Sequence, residues 1–162
     1  MTKLLIVKTK EFDISEIISM EMDIENSQFI FPNSKEEHLY LIKDDNIEHL
    51  LLKSEENEII GFAILAGLKN RNGDIEFRRI VIKHKDKGFG RVAIKSIKEY
   101  SFIKLNCHRL WLDVLKSNKR AVYLYKSEGF KKEGALSKFA LTEKKNASLL
   151  IYSMLKSAYK DE

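Results

Sequence analysis

The chain has one cysteine, one proline and seven glycines in 162 residues. A lone thiol, Cys107, cannot form an internal disulfide, so no cross-linked secreted scaffold is expected. Cys107 also has no adjacent base, which argues against thiol catalysis. With so little proline and glycine, no Ser/Gly-rich stretch and no internal repeat, nothing marks a linker. Residues 1–162 are therefore expected to form a single domain. The histidines His38, His49, His84 and His108 lack metal-ligand spacing, and no metal is expected. No apolar run approaches the roughly 18–20 residues of a membrane span. The run Leu4-Leu5-Ile6-Val7 is too short for the core of a signal peptide and reads as a strand. The expectation is a cytoplasmic protein with no membrane partner. Basic residues are not interleaved with an aromatic stripe, so no nucleic-acid partner is expected either.

What is present fits a soluble globular chain: 44% hydrophobic and 33% charged residues. A chain of this length can bury about 70% of its unfolded surface. The net charge of +5 permits an anionic ligand without demanding one, because the charges are scattered and no block of like charge occurs.

Hydrophobic periodicity gives the element order. Residues 3–8 read as a strand, and Asp13 can cap a helix over 14–24 with Ile14, Ile17, Ile18 and Met22 at helical spacing. Ser34-Lys35-Glu36-Glu37 is a capping box that predicts a helix over 35–43. Strands follow over 47–53, 59–68 and 74–83, the last alternating Ile75, Phe77 and Arg79 against Glu76, Arg78 and Ile80. A helix from Gly88 to about Asn106 puts Ala93, Ile94, Ile97 and Tyr100 on one face. Residues 109–115 form a strand. Ser117 or Asn118 caps a helix that Gly129 ends, and strands over 130–141 and 148–155 flank a polar turn at 142–146. The order βααβββαβαββ predicts a mixed α/β sheet with helices on both faces.

The segment His84-Lys85-Asp86-Lys87-Gly88-Phe89-Gly90-Arg91 carries the chemistry. Two glycines one residue apart turn the backbone tightly and expose its amides. The helix opening there adds unpaired N–H groups and a positive dipole end, which suits a phosphate or pyrophosphate. A P-loop would need Gly-Lys-Ser/Thr, and Gly90 is followed by Arg91-Val92. The run Gly88 to Ala93 does satisfy G-x-G-x-x-A, the dinucleotide fingerprint, with Asp113 at about the right distance. Against that reading, five polar residues (83–87) separate strand from glycine, Asp113 falls in mid-strand, and residues 1–70 look antiparallel. A dinucleotide-binding oxidoreductase module stays as an alternative.

Lys85 to Gly90 also aligns with the Q/R-x-x-G-x-G/A signature of GNAT N-acetyltransferases. Asn118-Lys119-Arg120-Ala121-Val122-Tyr123-Leu124-Tyr125-Lys126-Ser127-Glu128-Gly129-Phe130 resembles the N-x-x-A-x-x-L-Y-x-x-x-G-F element of bacterial members, and Arg109 to Val114 resembles their fifth strand. The chain therefore resembles the GNAT superfamily, most of all its bacterial ribosomal-protein and diamine acetyltransferases. It departs in having Lys85 where Arg or Gln is usual, and in Asp86 beside the expected phosphates.

The resemblance implies a three-layer α/β/α fold whose mixed, mostly antiparallel sheet is splayed between its fourth and fifth strands. It implies acetyl-CoA as co-substrate and a primary amine (a small amine, a polyamine or a protein N-terminus) as acceptor, with direct attack in a ternary complex. Ile80, Val81 and Ile82 would meet the pantetheine arm; Lys85, Asp86, Lys87, Gly88, Phe89, Gly90 and Arg91 would surround the pyrophosphate, and Asn118 would touch the arm. Tyr125 falls at the position of the acid that protonates the leaving thiolate. Glu76 is favoured as base, with Asp113 as the other candidate. The same fold could serve as a non-catalytic acyl-CoA sensor. The acidic segment Glu21, Asp23, Glu25, Glu36, Glu37 would suit a polyamine, though an acidic solvated helix explains it equally well. An exposed terminal strand leaves a homodimer open.

Overall fold

The structure, a computed structural model, describes residues 3–139 and 147–159. Seven strands, β1 Leu5–Lys8, β2 Ile47–Lys53, β3 Ile59–Ala66, β4 Asp74–Ile82, β5 Arg109–Leu115, β6 Lys131–Phe139 and β7 Ala147–Leu155, form one sheet in the order β1-β2-β3-β4-β5-β7-β6. Every pairing is antiparallel except β4 with β5. That pair is parallel and brief, joined only at Asp74↔Arg109, Ile75↔Leu110 and Glu76↔Trp111. Beyond Glu76 the strands part, and β4 presents an edge with no strand partner. This is the predicted splay. A largely antiparallel sheet of this order is not a Rossmann sheet, so the dinucleotide alternative loses its structural basis.

Helices α1 (Ile14–Met22), α2 (Ile24–Ser27) and α3 (Lys35–Lys43) come before β2, while α4 (Phe89–Glu99) and α5 (Lys119–Ser127) flank β5 in sequence. Ala93, Ile94 and Ile97 of α4 and Tyr125 of α5 pack on Ile75, Phe77, Leu110 and Leu112 on one face of the sheet. Ile17 and Met20 of α1 pack on Leu51, Phe62, Ile64 and Val81 on the other.

Several local signals act as read. Ser34 Oγ accepts the Glu37 N–H at 3.1 Å while Glu37 Oε1 accepts the Ser34 N–H at 2.9 Å, the full capping box. Asn118 Oδ1 accepts the Ala121 N–H at 3.3 Å and caps α5. Gly129 closes that helix at φ 97°, with the Phe130 N–H on the Tyr125 carbonyl and the Gly129 N–H on that of Lys126.

Other boundaries differ. The helix expected over 14–24 stops at Met22, because Asp23 turns extended and its side chain accepts the Glu25 N–H to start α2. Asp13 stands at the start of α1, but its side chain makes no cap there; its carboxylate instead accepts the Lys10 N–H at the start of a preceding 3-10 turn. The strand expected to reach Leu68 ends at Ala66, where Gly67 takes φ 87° and its N–H meets the Asn46 carbonyl. The helix expected to reach Asn106 is α-helical only to Glu99 and closes in a π turn over Tyr100–Lys104, which buries Phe102 and leaves Ile103 exposed. The expected turn at 142–146 lies outside the described residues.

The face assignment of β4 also changes. Ile64 faces Arg79 and Leu65 faces Phe77, so Arg78 is a β-bulge with no partner on β3. One extra residue reverses the alternation. Ile75, Phe77 and Ile82 face α4 and α5, whereas Arg79 and Val81 face α1.

Candidate active site

The splay opens a cleft of about 780 Å³, lined on one side by Ile80, Val81 and Ile82 and on the other by Asn118, Leu124 and Tyr125. Lys85, Asp86, Gly88, Phe89, Gly90 and Arg91 form one end, and Glu25, Asn26, Gln28, Phe29 and Ile30, from the segment the resemblance implies for the amine acceptor, form a wall. Glu25 belongs to the acidic set singled out in the sequence; no motif signals the other four. Thus ten of the expected cofactor contacts and Tyr125 converge on one cavity. Lys87 is exposed and outside its lining.

The glycine loop has the geometry an anion requires. Gly88 sits in the left-handed region at φ 78° as the N-cap of α4, and no side chain caps that helix. Gly90 lets α4 approach α5, since a Cβ there would lie 3.2 Å from Leu124 Cδ1. The side chains around the loop are already engaged. Lys85 Nζ meets Asn26 Oδ1 and, at 3.3 Å, the Ile82 carbonyl. Burial, then the Arg120 charge, lowers its pKa. Asp86 pairs with Arg120. Arg91 donates to Glu128 at 2.6 Å, and Lys95 and Lys98 lie 3.3 Å from the same carboxylate. Burial alone would raise the Glu128 pKa, but these three cations outweigh it and hold the group below the usual range. The β4 edge thus has no strand partner beyond Glu76, and the start of α4 offers backbone N–H groups that no side chain caps.

Tyr125 is buried, with its ring edge-on to Phe77 (centroids 6.1 Å) and Phe130 (5.7 Å). Burial, then the Asp113 charge, pushes its phenol well above the ordinary tyrosine value. Tyr123, two residues earlier, is exposed. Glu76 and Asp113 stand where the strands part, outside the cavity lining. Leu110, Leu112 and Val114 enter the core beneath α4 and α5, so Trp111 and Asp113 alternate to the opposite face. Desolvation, then the Glu76 charge, raises the Asp113 carboxyl, with Arg78 acting the other way. Glu76 is held by Arg78 at 3.1 Å.

Of the five acidic residues before α3 and in its first turn, only Glu25 lines the cleft. Asp23 and Glu37 cap helices, and Glu21 is fully buried in ion pairs. Among the described residues, no group of three or more His, Cys, Asp or Glu could hold a metal, and no helix is long and apolar enough to cross a membrane.

The model of the acetyltransferase (GNAT) family matches residues 18–130. Spermidine N(1)-acetyltransferase of Vibrio cholerae is 33% identical over 96 residues, 59% of this chain and 56% of that protein. Its counterpart in Escherichia coli K12 is 30% identical over 93 residues, 57% of this chain and 50% of that one. The matches thus span about half the length of these curated relatives. The solved structure of spermidine N-acetyltransferase from Vibrio cholerae in complex with CoA and spermine superposes with a TM-score of 0.87 at 26% identity, covering 98% of this chain and 99% of that one.

Proposed function

The chain belongs to the GNAT acetyltransferase family, and from that premise we propose that it transfers the acetyl group of acetyl-CoA to a primary amine, with polyamines as the acceptor class. The observation that carries the reading is the parting of β4 and β5 beyond Glu76. It leaves the β5-side backbone groups of Ile80 and Ile82 without a strand partner, and these can pair with an amide-bearing arm as an added strand would, the arm replacing the Lys85 contact on the Ile82 carbonyl. It also aligns that arm with the uncapped start of α4 at one end and Tyr125 at the other. The relatives named for spermidine and spermine favour a polyamine, and Glu25, Glu76 and Asp113 supply negative charge for it.

In this reading the acetyl thioester lies along β4, with its carbonyl oxygen facing a backbone N–H near Ile80–Val81 that stabilises the developing oxyanion. The amine must be neutral to attack. Asp113 is the better candidate to take its proton, because desolvation and the neighbouring Glu76 charge raise its carboxyl, while Glu76 is committed to Arg78. Attack forms the C–N bond, and collapse of the tetrahedral species breaks the C–S bond. Tyr125, held protonated by burial, gives its phenolic proton to the departing thiolate. The cap at Asn118 fixes the start of the helix that carries Tyr125.

Calorimetric titration tests the ligand assignment: acetyl-CoA is expected to bind at least tenfold more tightly than NAD, a difference of about 1.4 kcal/mol. Equal or tighter binding of NAD would overturn the reading.

A further inference from the structure

We infer that Glu21 is a positioning residue for the amine side of the reaction, pinning the acceptor wall to the strand that receives the acetyl arm; the inference rests on the acyl-transfer reading of the cleft. Glu21 is the penultimate residue of α1 and is fully buried. Its two carboxylate oxygens meet three separate segments. Oε2 accepts from the Arg79 guanidinium of β4. Oε1 lies 2.5 Å from His38 Nε2 on α3 and 3.3 Å from the backbone N–H of Asn33.

The His38 ring continues the chain inward: its Nδ1 lies 3.0 Å from His49 Nε2, and His49 Nδ1 lies 2.8 Å from Thr9 Oγ1. One proton arrangement satisfies all of them, with Thr9 donating to His49, His49 to His38 and His38 to Glu21. Every donor then points toward the carboxylate.

Stability alone does not call for such a cluster, since well-packed apolar side chains generally serve as well as a buried ion pair. Its effect is geometric. The chain leaves Glu21, runs through the segment that lines the cleft at 25–30, and returns at Asn33 to the same carboxylate. Arg79 comes from the residue just before Ile80–Ile82, the other side of the cleft, and the bulge at Arg78 is what turns it toward α1. One buried carboxylate therefore sets the spacing between the acceptor wall and the acetyl-bearing strand. The glycine loop meets that wall only through Lys85 on Asn26 Oδ1 among the bonds described, and makes none to Glu21.

The test removes both charges together, so that no buried cation is stranded. In the double variant Glu21→Gln with Arg79→Met, the KM for the amine is expected to rise about tenfold while that for acetyl-CoA stays within about twofold. An unchanged amine KM overturns the inference. So does a rise in both KM values in step with a fall in melting temperature, which is the signature of a merely structural role. Hydrogen exchange on the unmodified protein is the second measurement and needs no variant to fold. The Asn33 amide is expected to be as protected as those inside α1, and rapid exchange there overturns the pin. If the unmodified protein acetylates no amine, the acyl-transfer reading fails on its own, and Asn33 exchange still decides whether the pin exists.

Discussion

Phe77 and Arg79, two residues apart on β4, lie on opposite faces of the sheet because Arg78 is bulged out between them. Phe77 packs edge-on against Tyr125 on the α5 side, while Arg79 meets Glu21 on the α1 side. The bulge thus places one strand in contact with both the expected acid and the helix that leads into the acceptor wall.

Tyr125→Phe should leave the fold intact, since the ring contacts to Phe77 and Phe130 survive the loss of the hydroxyl. If the phenol protonates the thiolate, kcat falls about 100-fold with little change in the KM for acetyl-CoA. Full activity in this variant would remove Tyr125 as the acid.

Gly61→Ala should destabilise the sheet beside the cleft. A Cβ at Gly61 would overlap the backbone carbonyl oxygen of Val81, and neither strand can yield without shifting the β4 edge. Overpacking of this kind costs about 1–3 kcal/mol, read from urea unfolding, and acetyl-CoA affinity should drop with it. Gly134→Ala, where a Cβ meets nothing within 4 Å, is the matched control and should be near neutral.

Asp86→Asn should tighten acetyl-CoA binding. Asp86 is left-handed (φ 63°), a conformation that asparagine tolerates, and its pair with Arg120 is exposed, so stability should barely change. Removing a negative charge beside the phosphate site and freeing Arg120 should lower the KM for acetyl-CoA about two- to fivefold at low salt, with the difference shrinking as salt rises. An increase in KM would mean that the pair organises the loop.

Acid should weaken the fold through His49. Burial, then the neighbouring His38 ring and the Arg79 charge, lower its pKa to about 3 from an ordinary 6.5. Between those values the unfolded chain binds a proton that the folded one refuses, so protonation favours unfolding. The contribution of neutral His49 is complete above 6.5 and is lost as pH falls toward 3, at most about 1.4 kcal/mol per pH unit. Urea midpoints followed from neutral to mildly acidic pH should show this slope, and His49→Gln should flatten it.

Much of this molecule was legible locally. The Ser34–Glu37 capping box, the Asn118 cap, the Gly129 terminator and the glycine loop each depend on residues a few positions apart. The apolar face of α4 was legible for the same reason: Ala93, Ile94, Ile97 and Tyr100 repeat at the helical period and are buried together. What escaped depends on partners distant in sequence. The Arg78 bulge exists only relative to β3, and strict alternation therefore put Arg79 on the face of Phe77. The π turn at Tyr100–Lys104 disguised itself as more α-helix. Glu21, His38, His49 and Arg79 span 58 positions, and no short-range pattern links them before folding brings them together.

The most direct test of acetyl transfer at this cleft is steady-state release of free CoA thiol from acetyl-CoA in the presence of spermidine and a panel of other primary amines. The account predicts release that saturates in both substrates, with the acetylated amine as product. Tight acetyl-CoA binding with no amine-dependent release from any member of the panel would contradict it.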